Sequence, residues 1–160
     1  MIRSRKATNL SFSGSVAVVT ILVVLTVFFT WPLVLQLTSS VLGWVGDNYY
    51  FVWLVGWFEY AIFELGRTPL TVPHLNYPDG WHLAYNEITQ AMVLPVLPVS
   101  LVGGAVLAYN LSLLGSFVLS GFVVYWWVLD LAKSHRAALA SAVFFAFAPY
   151  RLTHVLGHLN

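Results

Sequence analysis

The sequence predicts an all-α membrane protein. It has three transmembrane helices, with a large external loop bearing interfacial helices between the first and the second. Three observations predict this. The chain of 160 residues is 59% hydrophobic and only 8% charged, whereas soluble domains carry about 25% charged residues. The stretch Val16 to Leu37 runs for 22 residues without one charge, and a spanning helix needs roughly 20 apolar residues. A second apolar stretch, Gly104 to Leu131, is broken only by Asn110 and Asp130 near its ends. The same composition excludes other classes. There are no cysteines, so disulfides, thiolate metal sites and cysteine nucleophiles are ruled out. A net charge of +1 leaves no polybasic footprint for nucleic acid.

Residues 1–15 form a basic N-terminus with Arg3, Arg5 and Lys6. The first span covers 16–37. A cleaved signal peptide would have an apolar core of only ~7–15 residues and a small-residue cleavage site. Here the run is longer, and Thr30-Trp31-Pro32 follows, with Pro32 kinking or ending the helix. In the second span, 104–131, Ser112, Ser116 and Ser120 recur every four residues beside Gly115 and Gly121, a pattern that lets helices approach closely in lipid. Tyr125, Trp126 and Trp127 read as an interface belt. The third span covers 137–156. Ala137 to Tyr150 alone would be ~21 Å long, too short for a ~30 Å core, so the helix must run past Pro149. Ala138, Ala142 and Ala146 form a second small-residue stripe.

Orientation follows from Lys and Arg. The basic N-terminus and the short loop 132–136, with Lys133 and Arg136, belong inside; the loop 38–103 and the end 157–160 belong outside. Within the external loop, Asn48 to Leu65 is apolar and helix-length but carries Glu59 and Glu64, and Ile88 to Val102 is apolar but broken by Pro95 and Pro98. Interfacial or re-entrant helices fit both; the alternative is five spans. Gly66 to Glu87 is a polar loop in which Tyr77-Pro78-Asp79-Gly80 has the residues of a turn.

Two clusters could carry chemistry. Gly46-Asp47-Asn48 lies just outside the first span. Asp47 there either caps the following helix or acts as a general base or metal ligand at the membrane surface. Glu59 is not its partner, being ~18 Å further along a helix. In the second cluster, Arg151, His154 and His158 fall at i, i+3 and i+7, on one stripe if helical. Arg suits bidentate phosphate contact, and two His at i, i+4 can share a metal. The bland alternative is an amphipathic helix end whose polar face meets water.

Taken together, the order of these elements resembles bacterial membrane glycosyltransferases of the GT-C type. The stretches that carry the resemblance are Thr30-Trp31-Pro32, Gly46-Asp47-Asn48 with Tyr49-Tyr50-Phe51-Val52-Trp53, Tyr77-Pro78-Asp79-Gly80, Ala108-Tyr109-Asn110, and Ala148-Pro149-Tyr150-Arg151 running into Gly157-His158-Leu159-Asn160. The resemblance implies an external loop with membrane-parallel helices, a bacterial inner-membrane location with the N-terminus inside, and a polyprenyl-phosphate sugar as donor. It implies that Asp47 is the catalytic base and that Asn48, Arg151, His154, His158 and Asn160 bind substrate. A divalent metal is left open, with Asp47 and His158 as candidate ligands. The family's second motif is commonly acidic and here it is not, a departure that bears on metal use. Such enzymes have more spans than three, so the resemblance implies the N-terminal part of a hexosyltransferase-type enzyme that is inactive as this piece alone. The expected partners are the bilayer, the lipid-linked donor, and further transmembrane helices of the same protein or of a partner subunit. The alternative function is a non-catalytic polytopic membrane subunit or scaffold.

Overall fold

The structure, a computed structural model, describes residues 12–85 and 90–157. The basic residues Arg3, Arg5 and Lys6, and the site candidates His158 and Asn160, lie outside the described residues. The fold is mostly helical. Helix α1 spans Phe12–Phe29, ~27 Å at the helical rise. It starts before the predicted span and ends well short of Leu37. The stop is chemical: Pro32 has no N–H to continue the ladder, and the chain passes into a 3-10 turn, Leu33–Leu35. Toward the end of α1 and just past it, the buried hydroxyls of Thr26 and Thr30 donate back to Leu22 O and Thr26 O, so neither is left unpaired in apolar surroundings.

After a loop, α2 spans Asp47–Glu59 and continues as a π-turn, Tyr60–Glu64. The polar loop beyond contains a two-residue antiparallel ladder of β1, Thr71–Val72, with β2, Trp81–His82. The turn predicted at 77–80 joins them: Gly80 has φ +77, and its N–H donates to Asn76 O at 3.1 Å. A short helix α3, Gln90–Val93, and a 3-10 turn lead into α4, Leu97–Ala132.

Among the described residues, Gln90–Ala132 is the one stretch of helix long and apolar enough to cross a membrane. It is not a straight rod. The hydroxyl of Ser112 donates to Met92 O at 3.4 Å, although 20 residues of straight helix would hold these positions ~30 Å apart. The reversal occurs at Gly104, whose φ of 82° and ψ of 166° leave the helical region for one that is essentially glycine-only. The stretch 90–103 therefore doubles back on the start of the long arm. The break falls between the two apolar stretches Ile88–Val102 and Gly104–Leu131 of the sequence. The long arm, residues 105–132, is ~42 Å, still ample for a ~30 Å core. Only 22% of the most apolar window of Gln90–Ala132 is buried.

Helix α4 ends at Lys133, which takes a left-handed conformation (φ 54°) and donates its N–H to Leu129 O. Its ammonium pairs with Asp130 at 2.6 Å. Ser134 then caps α5, His135–Ala146. The predicted third span is two helices. Ala148 takes an extended ψ of 139°, as a residue before proline does, and α6 restarts at Pro149–Val155. At 12 residues α5 is ~18 Å long and does not reach across a bilayer core by itself.

Packing fixes the helix directions. Ala138, Ala142 and Ala146 are fully buried, as the small-residue stripe predicts. Gly121 is the point of closest approach: a Cβ there would lie 2.8 Å from Leu22 and 3.2 Å from Ala146, so α1, α4 and α5 meet at one residue. Leu22 lies by Gly121 while Leu37 and Ser40 lie by Asn110, so α1 runs antiparallel to α4. Stacking of Phe117 on Phe147, with Tyr125 bonded to His135, makes α5 antiparallel to α4 as well. Helix α2 buries Phe51, Leu54, Val55 and Phe58 beside the N-terminal part of α4, with Tyr109 bonded to Asn48 and Ser100 bonded to Glu59.

Candidate functional site

The loop between α1 and α2 is threaded against the turn that ends α6. The Trp44 N–H donates to Leu156 O at 3.0 Å, and the Asp47 N–H points to Gly157 O at 3.4 Å. Glycines make this approach possible. Gly43 has φ +93 and its missing Cβ would fall on the Leu156 carbonyl; a Cβ on Gly46 would lie 2.8 Å from Gly157 O. The two sequence clusters, more than a hundred residues apart, are thus joined backbone to backbone.

Asp47 opens α2 and is half-buried. Its carboxylate sits in the first helical turn, where the helix dipole favours negative charge. The N-cap is Gly46, which has no side chain to cap with. Asn48 is fully buried. Its amide donates to Leu42 O at 2.6 Å and accepts from the Tyr109 hydroxyl at 3.2 Å, so both ends of the side chain are committed within the protein. Asn110, also fully buried, donates to Leu37 O and Ser40 O, both at 2.8 Å. Its Oδ1 has no partner among the described residues. Together these amides hold both ends of the loop that carries Asp47.

Arg151 lies in α6 but reaches into α4. Its two terminal nitrogens donate to the Ser120 and Ser116 hydroxyls, and the guanidinium lies 4.4 Å above the Phe117 ring, a cation–π contact. Among the described residues the ion pair is Lys133–Asp130; no carboxylate pairs with Arg151. Each serine hydroxyl also donates within its own helix, to Leu113 O and Phe117 O, which leaves its oxygen lone pairs for the arginine. The guanidinium has five N–H donors, so donors remain beyond those given to the serines. His154 stacks on Tyr150 at 3.8 Å, and its Nδ1 is 2.9 Å from Tyr150 O. A carbonyl only accepts, so Nδ1 carries a proton there.

Arg151 and His154 line one open cavity of about 780 Å³, whose other walls are mainly apolar, among them Leu113, Val124, Phe144 and Phe145. The predicted stripe thus holds for its first two members, which face one space; His158 and Asn160 fall outside the described residues. No group of three His, Cys, Asp or Glu side chains that could hold a metal occurs among the described residues, and of the two proposed ligands only Asp47 is among them. Three partners were not legible as site residues. Ser116 and Ser120 have the spacing of a packing stripe, and Asn110 reads as a polar residue near a span end. An amide so close to a membrane segment was the available signal, because intramembrane polar groups need partners.

Compared with protein-family models, curated proteins and solved structures, the chain shows no match.

Proposed function

We propose that this chain forms part of a membrane glycosyltransferase of the GT-C type, moving a sugar from a polyprenyl-phosphate donor to an acceptor on the outer face of the bacterial inner membrane. The observation that carries the reading is the junction of Gly46-Asp47 with Leu156-Gly157. It gathers the acidic loop and the Arg151–His154 segment at the same end of the helix layer.

The levels of these groups along α4 agree with that reading. Ser116 and Ser120, which hold Arg151, lie 17 and 13 residues before Lys133, or roughly 20–26 Å along the helix. With Lys133 and Arg136 at the inner interface, Arg151 stands near the outer edge of a ~30 Å core, where a lipid phosphate lies. Helices α1, α4 and α5 make up the membrane layer; α2 and the re-entrant arm 90–103 cover its outer end. Exposed apolar side chains on the layer, such as Phe28 at 71% and Phe144 at 80%, need lipid or protein around them.

In the reaction, the Asp47 carboxylate takes the proton of an acceptor hydroxyl as its oxygen bonds the sugar's anomeric carbon. The bond from that carbon to the donor phosphate breaks, and the phosphate leaves with the electron pair. Arg151 stabilises the charge on the departing phosphate, and His154 lines the same space. Asn48 acts by holding Asp47 in place. The test is transfer of labelled sugar by the full protein in proteoliposomes. Asp47→Asn lowers the rate by about 100-fold or more, the lower range for a general base; full retention of activity would remove Asp47 from the mechanism. The second reading, a non-catalytic subunit, is favoured by the wide apolar faces on α1 and α5, and a stoichiometric partner recovered in mild detergent together with absence of transfer would establish it.

A further inference from the structure

Helix α2 and the π-turn that continues it carry a run of aromatic side chains. Tyr50 stacks on Trp53 with ring centroids 5.8 Å apart, Trp53 stacks nearly parallel on Trp57 at 6.4 Å, and Trp57 lies 6.2 Å from Tyr60. Trp57 is the fixed member. It is buried, its indole N–H donates to Pro69 O at 2.6 Å, and the His74 ring stands perpendicular to it. Trp53 and Tyr60 are the outward members, 37% and 46% exposed. They are seven residues apart, two helical turns, so they share one face at a spacing of ~10 Å. Tyr49, also exposed and four residues before Trp53, continues that face toward Asp47. Ala105 of α4 borders the face beside Gly56, and exposed His74 borders the other side. Each outward ring ends in a polar tip: the Trp53 N–H and the Tyr49 and Tyr60 hydroxyls make no hydrogen bond among the described residues. Rings of this kind stack on the C–H face of a pyranose, while their tips and an imidazole bond its hydroxyls. The spacing from Trp53 to Tyr60 exceeds one pyranose ring, so it suits a chain of sugars. Charge selects the same occupant. Residues 47–85 hold Asp47, Glu59, Glu64 and Asp79 against one cation, Arg67. A surface seated in anionic headgroups gathers Lys and Arg; an acidic one accepts a neutral ligand.

We infer that this face of α2 is a glycan-binding strip: a neutral chain of pyranose rings lies along Tyr49, Trp53 and Tyr60, with His74 at its edge. The strip leads to Asp47 at the start of the helix, so the acceptor hydroxyl belongs to the end of a glycan chain. That last step rests on the proposed function; the strip itself follows from the rings, their exposure and the local charge.

Titration of the full protein in nanodiscs with neutral linear oligosaccharides (maltohexaose, cellohexaose, mannohexaose and xylohexaose) tests the strip without any transfer assay. At least one of them binds, changes the tryptophan fluorescence, and binds about tenfold or more tightly than its own monosaccharide. Trp53→Leu keeps an apolar side chain but removes the ring, and weakens that binding about tenfold, the size of one stacked ring. Tyr60→Leu weakens it in the same direction. Trp53→Phe, which restores a ring, retains most of the affinity and guards against a folding defect. No binding by any of the four sugars, or binding that both leucine variants leave unchanged, overturns the inference. Quenching of Trp53 by brominated phospholipid, read as the difference between wild type and Trp53→Phe, would put this face in the bilayer and overturns it as well. If the sugars bind as described while Asp47→Asn retains full transfer, the catalytic reading of Asp47 fails and the strip stands. If transfer depends on Asp47 and none of the sugars binds, the strip alone fails.

Discussion

Gly157 leaves no room for a side chain beneath Trp44: a Cβ at that position would collide with the indole Nε1. The contact closes the junction between the acidic loop and the end of α6, and it repeats at Gly43, where the obstacle is the Leu156 carbonyl. The Leu156 carbonyl is part of the junction's backbone and cannot move without opening it, and at Gly157 the indole must shift to admit a methyl.

Gly157→Ala and Gly43→Ala therefore destabilise the protein, by about 1–3 kcal/mol each, the range for overpacking a fitted contact. Gly115 provides the contrast, because a Cβ there meets nothing within 4 Å. Gly115→Ala is neutral or mildly stabilising, since Ala is the better helix former by about 1 kcal/mol. Thermal unfolding in detergent micelles measures all three. Equal effects at the three glycines would contradict the junction.

The reversal at Gly104 makes a distance prediction. The chain has no cysteine, so Met92→Cys with Ser112→Cys takes two spin labels cleanly. The labels lie far closer than the ~30 Å of a straight helix. Gly104→Ala, placed where φ is +82, costs about 1–3 kcal/mol of strain and broadens the distance distribution. A measured separation near the straight-helix value would remove the hairpin.

The hairpin also marks where the sequence stopped being legible. Apolar character places α1, the long arm of α4 and α5, because composition and length decide them. Local chemistry marks two of the breaks, at Pro32 and Gly104; at Pro149 the length argument carries the predicted span on to residue 156, whereas α5 ends at Ala146. The alanine stripe on α5 is legible because its spacing has one use, close packing. Reversal at Gly104 is not legible, since an apolar run looks the same straight or folded back on itself. Asn48 reads as a substrate ligand beside Asp47, yet its amide is spent on Leu42 and Tyr109; only the three-dimensional neighbours decide that. The Ser116 and Ser120 hydroxyls read as packing residues because their partner, Arg151, lies more than thirty residues away.

Arg151→Lys tests the serine cradle. Lysine keeps the charge, but as a compact ammonium it cannot reproduce a planar fork spanning two serines. The donor KM rises about tenfold, equivalent to ~1.4 kcal/mol, with a smaller change in kcat. Ser116→Ala with Ser120→Ala moves KM in the same direction. Steady-state kinetics on the reconstituted protein separate these effects, and an unchanged KM in both variants would detach the cradle from donor binding.

Orientation is open to direct labelling. Val45, 82% exposed, lies in the loop before α2, which the proposal puts outside, and Asp130, with its side chain 73% exposed, lies at the C-terminal end of α4, which the proposal puts inside. Val45→Cys reacts with a membrane-impermeant maleimide on intact cells, and Asp130→Cys reacts only after permeabilisation. The latter loses an exposed ion pair of little energetic weight, ~0–1 kcal/mol. The reverse labelling pattern would invert the topology and put the site on the cytoplasmic face.

The central claim is that the acidic loop and the Arg151 segment form one catalytic site, and a double-mutant cycle on sugar transfer tests it most directly. Asp47→Asn, Arg151→Gln and the double variant are assayed in the full protein with a polyprenyl-phosphate sugar. Residues that act as a unit are strongly non-additive, so the double variant should be little slower than the slower single one. Two losses that simply multiply would show independent sites, and two singles as fast as wild type would show that neither residue serves the reaction.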